Sequence, residues 1–377
     1  MLSEYNFKNF NFRLLFYVLA LNAIGVLVIN SAVNGDRSYM NRQLIGLFGG
    51  LIIAVVLSLI NYRYLMRCTW IIYVCCIGIL LAVIIAGQLG GAGAGSKRWI
   101  TLPVIGRFQP SEFVKIGLIV FFSWFLHKNQ EKIDRPSTLL FLAVLAGIPL
   151  LLIMDQPDLS TSIVIAFSIL CLVFISGISY KWIGGAAAVT FPILGLVVFL
   201  ADQDLMPPFL KGYQVNRILA FINPAKYAEL NLQQDNSKMA IGSGILYGKG
   251  LFNDTAISVK NGNFLSEEHT DFIFSVLGEE LGFVGCVAVI VLFALFVYEC
   301  LRMAGKAKDM AGKLLCTGMA ALVGFQAFTN IAVATGVFPN TGLPLPFISY
   351  GVSSLVSLYI GIGIILNVGL QQSKLEF

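Results

Sequence analysis

Long apolar runs alternate with short polar connections along almost the whole chain of 377 residues. Most runs are about 20 residues long, the length that an α-helix needs to cross the hydrocarbon core of a bilayer. The first run follows a short polar leader that contains Lys8 and has no small-residue cleavage site, so we expect it to be retained as a span. The pattern predicts ten spans, at about Phe12–Val33, Gln43–Asn61, Cys68–Leu89, Ser111–His127, Thr138–Met154, Leu159–Ile178, Trp182–Ala201, Phe272–Leu301, Ala311–Val337 and Phe347–Leu370.

One polar interval, Asp202–Asp271, is far longer than the other connections and separates the seventh predicted span from the eighth. We therefore expect an all-α integral membrane protein with ten transmembrane helices. Residues 1–377 would form a single polytopic membrane domain, and residues 202–271 would be one large extracytoplasmic loop within it.

Composition favours the same class. Hydrophobic residues make up 57% of the chain and charged residues only 12%, whereas soluble domains carry about 25% charged residues. The mean hydropathy is +0.83. The formal net charge of +5 lies mostly in short connections, without a basic patch interleaved with aromatic residues, so the sequence does not favour nucleic-acid binding.

The distribution of lysine and arginine predicts the orientation, because short cytoplasmic loops carry an excess of these residues. An even number of spans places both termini on one side. That side carries thirteen cationic residues: Lys8, Arg13, Arg63, Arg67, Lys128, Lys132, Arg135, Lys181, Arg302, Lys306, Lys308, Lys313 and Lys374. The short loops and span ends opposite carry six: Arg37, Arg42, Lys97, Arg98, Arg107 and Lys115. We therefore expect both termini in the cytoplasm and the large loop outside.

Asp271 is the first candidate for chemistry. It closes the polar interval and directly precedes the apolar run that begins at Phe272. A carboxylate at such a boundary is partly desolvated, which raises its pKa and suits it to act as a base. Aspartate is also a good helix N-cap, so a capping role is the alternative.

Glu112 and Lys115 open the fourth predicted span and are three residues apart, which places them on one helical face. Ionisable residues inside a membrane are expensive and usually functional. The alternative is an internal ion pair that supports only the fold.

Other polar features also fall on the predicted outer side. Asp158 either caps the following span or faces a ligand. The segment from Lys97 to Phe108 combines cations with aromatic residues and would suit the headgroup layer. Glycines at 242, 244, 248 and 250 could let the backbone approach a ligand or a membrane.

The last outer connection, residues 338–347, contains three prolines and no charge. We call it the proline loop. We expect this loop to form a rigid, partly re-entrant hairpin. Such a hairpin is tolerated at membrane depth only when it packs against protein or lines a cavity. Gln326 and Asn330 share a face of the preceding span, which indicates a polar interior there.

Cysteine and histidine give no sign of a metal centre. All seven cysteines fall within predicted spans or at their cytoplasmic ends, and His127 and His269 are assigned to opposite faces. No disulfide framework or Cys/His ligand spacing is visible, and we expect the cysteines to be small packing residues.

Several motifs together resemble the SEDS family, the shape, elongation, division and sporulation proteins typified by RodA and FtsW. They occur in the family's order over nearly the whole chain. The motifs are Lys97-Arg98-Trp99, Gln109-Pro110-Ser111-Glu112, Gln156-Pro157-Asp158-Leu159, Tyr213-Gln214 with Arg217, Glu268-His269-Thr270-Asp271-Phe272-Ile273-Phe274, Gly278-Glu279-Glu280-Leu281-Gly282 and Thr341-Gly342-Leu343-Pro344-Leu345-Pro346-Phe347.

This resemblance implies a peptidoglycan glycosyltransferase of the hexosyltransferase class, which polymerises lipid II outside the bacterial cytoplasmic membrane beside a class B penicillin-binding protein. Asp271 matches the family's essential aspartate. Glu112 and Lys115 match positions lining the outward cavity, and with Asp271 they are the predicted catalytic residues. The substrate-binding candidates are Arg98, Gln109, Asp158, Arg217 and His269.

The chemistry of joining lipid-linked sugars agrees with that set. The attacking hydroxyl needs a base, and the departing pyrophosphate needs positive charge. We expect Asp271 to be the base, Arg98, Lys115 and Arg217 to stabilise pyrophosphate, and Glu112 to orient Lys115. No nucleotide site is needed, because the lipid pyrophosphate leaving group supplies the driving force. A divalent cation, Mg²⁺ or Mn²⁺, could assist at the pyrophosphate.

Two other classes of protein would share some of these features. A lipid II flippase would also have about ten spans and intramembrane charge, but it would more often show an inverted repeat, and none is visible. A non-catalytic scaffold for a cell-wall transpeptidase would leave the Asp271 cluster without a role.

Overall fold

The computed structural model describes residues 5, 7–88, 99–102, 106–203, 212–224, 226–252, 258, 265 and 268–371. These residues form a helical bundle with one small antiparallel hairpin, strands β1 (Ile100–Leu102) and β2 (Gly106–Phe108), in which Thr101 pairs with Arg107. Two short 3-10 helices span Phe7–Asn9 and Gln130–Lys132. The α-helices are α1 (Phe12–Ala32), α2 (Arg37–Ser58), α3 (Tyr62–Arg67), α4 (Thr69–Gln88), α5 (Pro110–Lys128), α6 (Pro136–Asp155), α7 (Leu159–Ile175), α8 (Tyr180–Asp202), α9 (Gly212–Ile222), α10 (Ala228–Ser243), α11 (Ile273–Gly305), α12 (Met310–Ala334) and α13 (Val352–Leu370).

The helical membrane class is confirmed. Each of the ten predicted spans overlaps one helix. In the described part of the chain, seven helices are long and apolar enough to cross a membrane: α1, α2, α6, α8, α11, α12 and α13. Large apolar side chains cover the outside of the bundle, as for Leu140, Leu151 and Phe191, each about 70% exposed. Such a surface is stable in lipid and not in water. The count of ten crossing helices stays a prediction.

Two helices begin about five residues away from the start of the predicted span that they overlap. Helix α2 begins at Arg37 instead of Gln43, because the Asp36 carboxylate accepts a hydrogen bond from the Ser38 amide and starts the helix early. Helix α13 begins at Val352 instead of Phe347, because Phe347 has a φ of +64° and cannot be part of a helix.

Helices α12 and α13 form the centre of the bundle, with about three quarters of their residues buried. Small residues let α2 and α13 approach closely. A Cβ at Gly50 would lie 2.5 Å from the Tyr359 ring, and one at Gly363 would lie 2.7 Å from the Ala54 carbonyl oxygen. Close packing of this kind replaces the hydrophobic effect as the main attraction between helices in lipid.

Helix α11 is broken at Gly282, which has φ +65° and ψ −164°. Residues 244–250, which we call the inserted segment, fill the break. The amides of Lys249 and Gly250 donate to the Glu279 and Glu280 carbonyls, and the Phe283 amide donates to the Ile245 carbonyl. Of the four glycines noted in the sequence, Gly244 and Gly248 let this backbone approach α11, whereas Gly242 and Gly250 have open space around them. Contact of this region with a ligand or a membrane stays a prediction.

The inserted segment follows α10, a polar helix that the sequence analysis did not predict. Hydrogen bonds to distant residues hold α10 against the end of α12. The Gln234 amide donates to the carbonyls of Val333 and Phe338, and the Ser237 hydroxyl donates to the Ala334 carbonyl. The described part of the large loop thus contains two helices that pack on the bundle.

Candidate active site

Asp271 lies in the turn immediately before α11 and is partly buried. Phe272 occupies the N-cap position of that helix and makes no side-chain cap hydrogen bond, so Asp271 is not the N-cap residue. Its backbone carbonyl accepts a hydrogen bond from the side-chain amide of Asn330 at 2.8 Å. Its carboxylate faces the proline loop, because a Cβ at Gly342 would lie 3.2 Å from Asp271 Oδ2.

The proline loop is held from several sides. The Gln326 amide donates to the Pro344 carbonyl at 2.9 Å, and the Asn330 amide donates to the Leu343 carbonyl at 2.6 Å. On the opposite side, a Cβ at Gly25 in α1 would lie 2.7 Å from Ile348 Cα, so only glycine fits there. The loop is therefore packed against protein, and its partial re-entry into the membrane stays a prediction.

Residues just after the proline loop also hold the turn that carries Asp271. The Ser349 hydroxyl donates to the Thr270 carbonyl at 2.6 Å, and the Tyr350 amide donates to the His269 carbonyl at 2.9 Å. With the Asn330 bond, three successive backbone carbonyls, at residues 269, 270 and 271, are anchored. Anchoring of this kind preorganises the Asp271 side chain.

Glu112 and Lys115 form the predicted ion pair in the first turns of α5. Lys115 Nζ lies 2.8 Å from Glu112 Oε1 and 3.0 Å from Gln326 Oε1. The two side chains are 3% and 1% exposed. Within the described residues, Glu112 Oε2 is buried without a hydrogen-bond partner. A buried charge pair is stable only when both charges are compensated, so each residue depends on the other.

A continuous set of polar contacts joins this pair to the turn of Asp271. Gln326, one helical turn from Asn330 on α12, binds Lys115 through its oxygen and the proline loop through its nitrogen. Asn330 then joins the Leu343 carbonyl to the Asp271 carbonyl. The polar interior expected from these two α12 residues is therefore present and connects α5 with α11.

Asp158 and Gln109 lie together at the start of α7 and α5. The Asp158 carboxylate caps α7 by accepting from the Thr161 amide at 3.2 Å, and it also accepts from Gln109 Nε2 at 3.0 Å. The capping interpretation of Asp158 is thus confirmed. At 4% exposure it is buried in this structure.

Thr341, in the proline loop, collects two further contacts. Its carbonyl accepts from the Arg217 guanidinium at 3.1 Å and from the Ser160 hydroxyl. Arg217 is on α9 and is exposed. The large loop therefore reaches the same proline loop that Asp271 faces.

His269 packs in an aromatic cluster with Tyr39 and Tyr350, at ring centroid distances of 5.2 and 5.7 Å. Burial raises the pKa of the Tyr350 phenol, and the nearby Arg42 guanidinium opposes that shift. The Tyr350 phenol is thus held neutral beside Arg42, at the edge of the turn that carries Asp271.

Arg98 lies outside the described residues, as do Lys97 and the glycines before it. Seven of the eight predicted site residues are therefore described. Asp271 and Arg217 contact the proline loop, and Lys115 reaches it through Gln326. The other four lie beside these elements without a described contact to that loop. Within the described ranges, no three His, Cys, Asp or Glu side chains are grouped to hold a metal ion.

Sequence reasoning missed one ionic contact behind the site. Lys249 Nζ in the inserted segment lies 2.6 Å from Glu279 Oε1, and the Glu279 side chain is only 4% exposed. Glu280 next to it accepts from the Ser31 hydroxyl, which in turn accepts from the Phe252 amide. The adjacent glutamates in the sequence were visible, but no pattern marked Lys249 or Ser31 as their partners.

Comparison with known proteins now identifies the family. The family model for the cell cycle proteins FtsW, RodA and SpoVE matches residues 12–374. The probable peptidoglycan glycosyltransferase FtsW of Trichlorobacter lovleyi is 35% identical over 97% of this chain and 94% of its own length. The peptidoglycan glycosyltransferase MrdB of Escherichia coli K12 is 34% identical over 96% and 94%.

The fold agrees with these relatives. A chain from a solved peptidoglycan synthase complex, described as coordinating polymerization and crosslinking, superposes with a TM-score of 0.79 at 29% identity. The match covers 96% of this chain and 97% of that one. The match of the family model over almost the entire chain, the identity to both relatives and the shared fold together establish that this chain belongs to the FtsW, RodA and SpoVE family of cell cycle proteins.

Proposed function

We propose that this chain is a peptidoglycan glycosyltransferase that polymerises lipid II, with Asp271 as the general base. The relatives named peptidoglycan glycosyltransferase support the activity. The observation that supports the base is the position of Asp271: its carboxylate faces the proline loop, and its backbone carbonyl is held by Asn330.

The reaction transfers the glycan from a lipid pyrophosphate to the hydroxyl of a second lipid-linked sugar. Asp271 takes the proton of that hydroxyl as the new bond forms, and the lipid pyrophosphate departs with the electrons of the broken bond. The donor is α-linked and the product β-linked, so a single inverting displacement suffices. A single displacement needs no second carboxylate as nucleophile.

Positive charge must stabilise the departing pyrophosphate. Arg217 is exposed beside the proline loop and has the planar fork suited to phosphate. Arg98 is the second candidate, from its sequence position. Lys115 is engaged by Glu112 and Gln326 deep in the bundle, which supports a positioning role for it toward the proline loop and Asp271.

Gln109, Asp158 and His269 complete the proposed substrate-binding region. Gln109 and Asp158 order the start of α5 and α7, and His269 orders the turn before Asp271 through Tyr39 and Tyr350. A divalent cation, Mg²⁺ or Mn²⁺, at the pyrophosphate is a further proposal that the reaction chemistry alone supports.

We further propose that ten helices cross the bacterial cytoplasmic membrane, with both termini in the cytoplasm and Asp271 outside. The excess of Lys and Arg on one set of loops supports this orientation. Cysteine labelling tests it in a background free of native cysteines. An Asn216→Cys probe on α9 should react with an impermeant reagent on intact cells, and a Lys132→Cys probe only after lysis. The reverse pattern would overturn the orientation.

A class B penicillin-binding protein is the proposed partner, together with membrane lipids. The structural match to a chain of a peptidoglycan synthase complex that polymerises and crosslinks supports it. Copurification of the two full-length proteins in detergent would test this pairing.

The central experiment is polymerisation of purified lipid II by the purified chain, with and without the partner. Asp271→Asn removes the base with little change in volume, so we expect normal folding and no glycan product. Asp235→Asn, which changes a half-exposed carboxylate of α10, is the matched control and should polymerise like the wild type. Glycan made at the wild-type rate by Asp271→Asn would refute the base assignment. Transport of lipid II across vesicles without any polymerisation would favour the flippase.

A further inference from the structure

A cationic cavity lies at the end of the bundle opposite Asp271. Helix α11 begins next to Asp271, and its other end, at Gly305, meets the start of α1. Between them is a cavity of about 330 Å³. Among the described residues, four cations line it, Lys8, Arg13, Arg302 and Lys306, together with one carboxylate, Glu299.

Glu299 forms the floor of the cavity and is already compensated. It is 4% exposed, accepts from Asn11 Nδ2 at 2.9 Å, and pairs with the Arg302 guanidinium at 3.2 Å. Asn11 also caps α1 by accepting from the Leu14 amide. Arg302 thus neutralises the floor, and Arg13 and Lys306 add positive charge to the lining.

Arg13 and Lys306 make no ion pair with any part of the chain that the structure describes. Helix stability accounts for Lys306, because it occupies the C-cap of α11, where the helix dipole favours a cation, but it does not account for Arg13. A cation in the first turn of α1 opposes the helix dipole, so Arg13 is slightly unfavourable for its own helix. Exposed cations gathered around a concave surface are suited to an anion.

The surroundings of the cavity indicate where that anion comes from. Phe12 is part of the lining and is 70% exposed, and Phe16, one turn further along α1, is 64% exposed. Aromatic side chains next to cations are typical of the boundary between headgroups and hydrocarbon. An anionic headgroup could occupy the cavity while its acyl chains follow the exposed phenylalanines.

We propose that this cavity binds a phosphate group that carries net negative charge, as in the headgroup of an anionic phospholipid. Arg13 and Lys306 contact the phosphate, and Arg302, held by Glu299, sets the far wall. The site is separate from Asp271 and does not depend on the reaction proposed there.

The test uses the full chain, purified in detergent and freed of native lipid. Binding of dioleoylphosphatidylglycerol is titrated by native mass spectrometry, beside dioleoylphosphatidylcholine, whose phosphate is neutralised by choline. The variant is Arg13→Gln/Lys306→Gln. The matched control is Lys132→Gln/Arg135→Gln, which removes one exposed lysine and one exposed arginine from another loop at the same end.

We expect the wild type and the control to prefer phosphatidylglycerol, and the cavity variant to bind it about thirtyfold more weakly, about fivefold for each cation removed. If the double variant does not fold, the single Arg13→Gln variant is measured instead, and we expect it to bind phosphatidylglycerol about fivefold more weakly than the wild type. Displacement of the lipid by inorganic phosphate would identify a site for free phosphate; lack of displacement would show that the lipid is needed. Equal binding by the cavity variant and the control, or no preference over phosphatidylcholine, would overturn the proposal.

Discussion

Replacing Lys115 with methionine should test the buried pair that connects α5 to the active site. Methionine has nearly the length of lysine but no charge. The change leaves the Glu112 carboxylate 3% exposed, with its cation gone and Oε2 already without a partner among the described residues. We expect Lys115→Met to lower both stability and polymerisation.

The expected magnitude follows from burial. Removing one partner of a buried ion pair costs about 3–5 kcal/mol, because the other charge stays uncompensated. In Glu112→Leu/Lys115→Met both charges are absent. The remaining penalty should be about 1 kcal/mol, for the Gln326 oxygen that loses its donor. The double variant should therefore be more stable than the single one.

The unfolding free energy is measured by titrating the detergent-solubilised protein with a denaturing detergent and following tryptophan fluorescence. Lys238→Met is the matched control: it breaks the Lys238–Asp235 pair, which has the same i,i+3 spacing but is about half exposed on both sides. That loss should be about 0–1 kcal/mol. A Lys115→Met loss as small as that of the control, or a double variant no more stable than the single one, would refute the reasoning.

Three further predictions concern the inserted segment and α3. Gly248→Ala should destabilise the protein by about 2 kcal/mol or more, since Gly248 has a φ of +81° and an added Cβ would lie 2.1 Å from a backbone oxygen. Gly242→Ala, in an open helical position, should be neutral or stabilising in the same unfolding assay. Lys249→Met should remove the ammonium group that lies against the buried Glu279 carboxylate. That carboxylate lies in the part of α11 that directly follows Asp271, so we expect it to help position the Asp271 side chain. The kcat for lipid II should therefore fall by a larger factor than KM changes. An unchanged kcat would argue against this positioning role of Glu279. Burial, aided by a nearby carboxylate, raises the pKa of the Tyr62 phenol above its ordinary value. The folded protein therefore favours the protonated Tyr62 phenol. The stability that this preference contributes is complete below about pH 10, the ordinary pKa of the phenol, and it is lost as the pH rises further. Tyr62→Phe should lose less stability than the wild type between about pH 8 and about pH 11, and equal alkaline losses would contradict this.

The membrane class and most helix positions followed from local patterns. An apolar run of about 20 residues can satisfy its backbone only as a helix in lipid, whatever its neighbours are. The same locality explains why the Asp158 cap and the Glu112–Lys115 pair were predictable. Each contact joins two residues that are three positions apart in the sequence, at the start of a single helix.

Features that depend on distant segments were not predictable. Helix α10 is polar along its length and is held by carbonyls at the end of α12, nearly a hundred residues away. The break of α11 at Gly282 is stable because the inserted segment supplies hydrogen bonds that the helix lacks there. Nothing near either element in the sequence indicates these partners.

Asp271 shows the same division. By itself the sequence determined that a carboxylate closes a long polar interval at the start of an apolar helix, because hydrophobicity and charge are properties of neighbouring residues. Only the tertiary structure decided that its turn is anchored by Asn330, that its carboxylate faces Gly342, and that Gln326 connects the same loop to Lys115. Those contacts join residues far apart in the chain, and their geometry is set by how the helices pack.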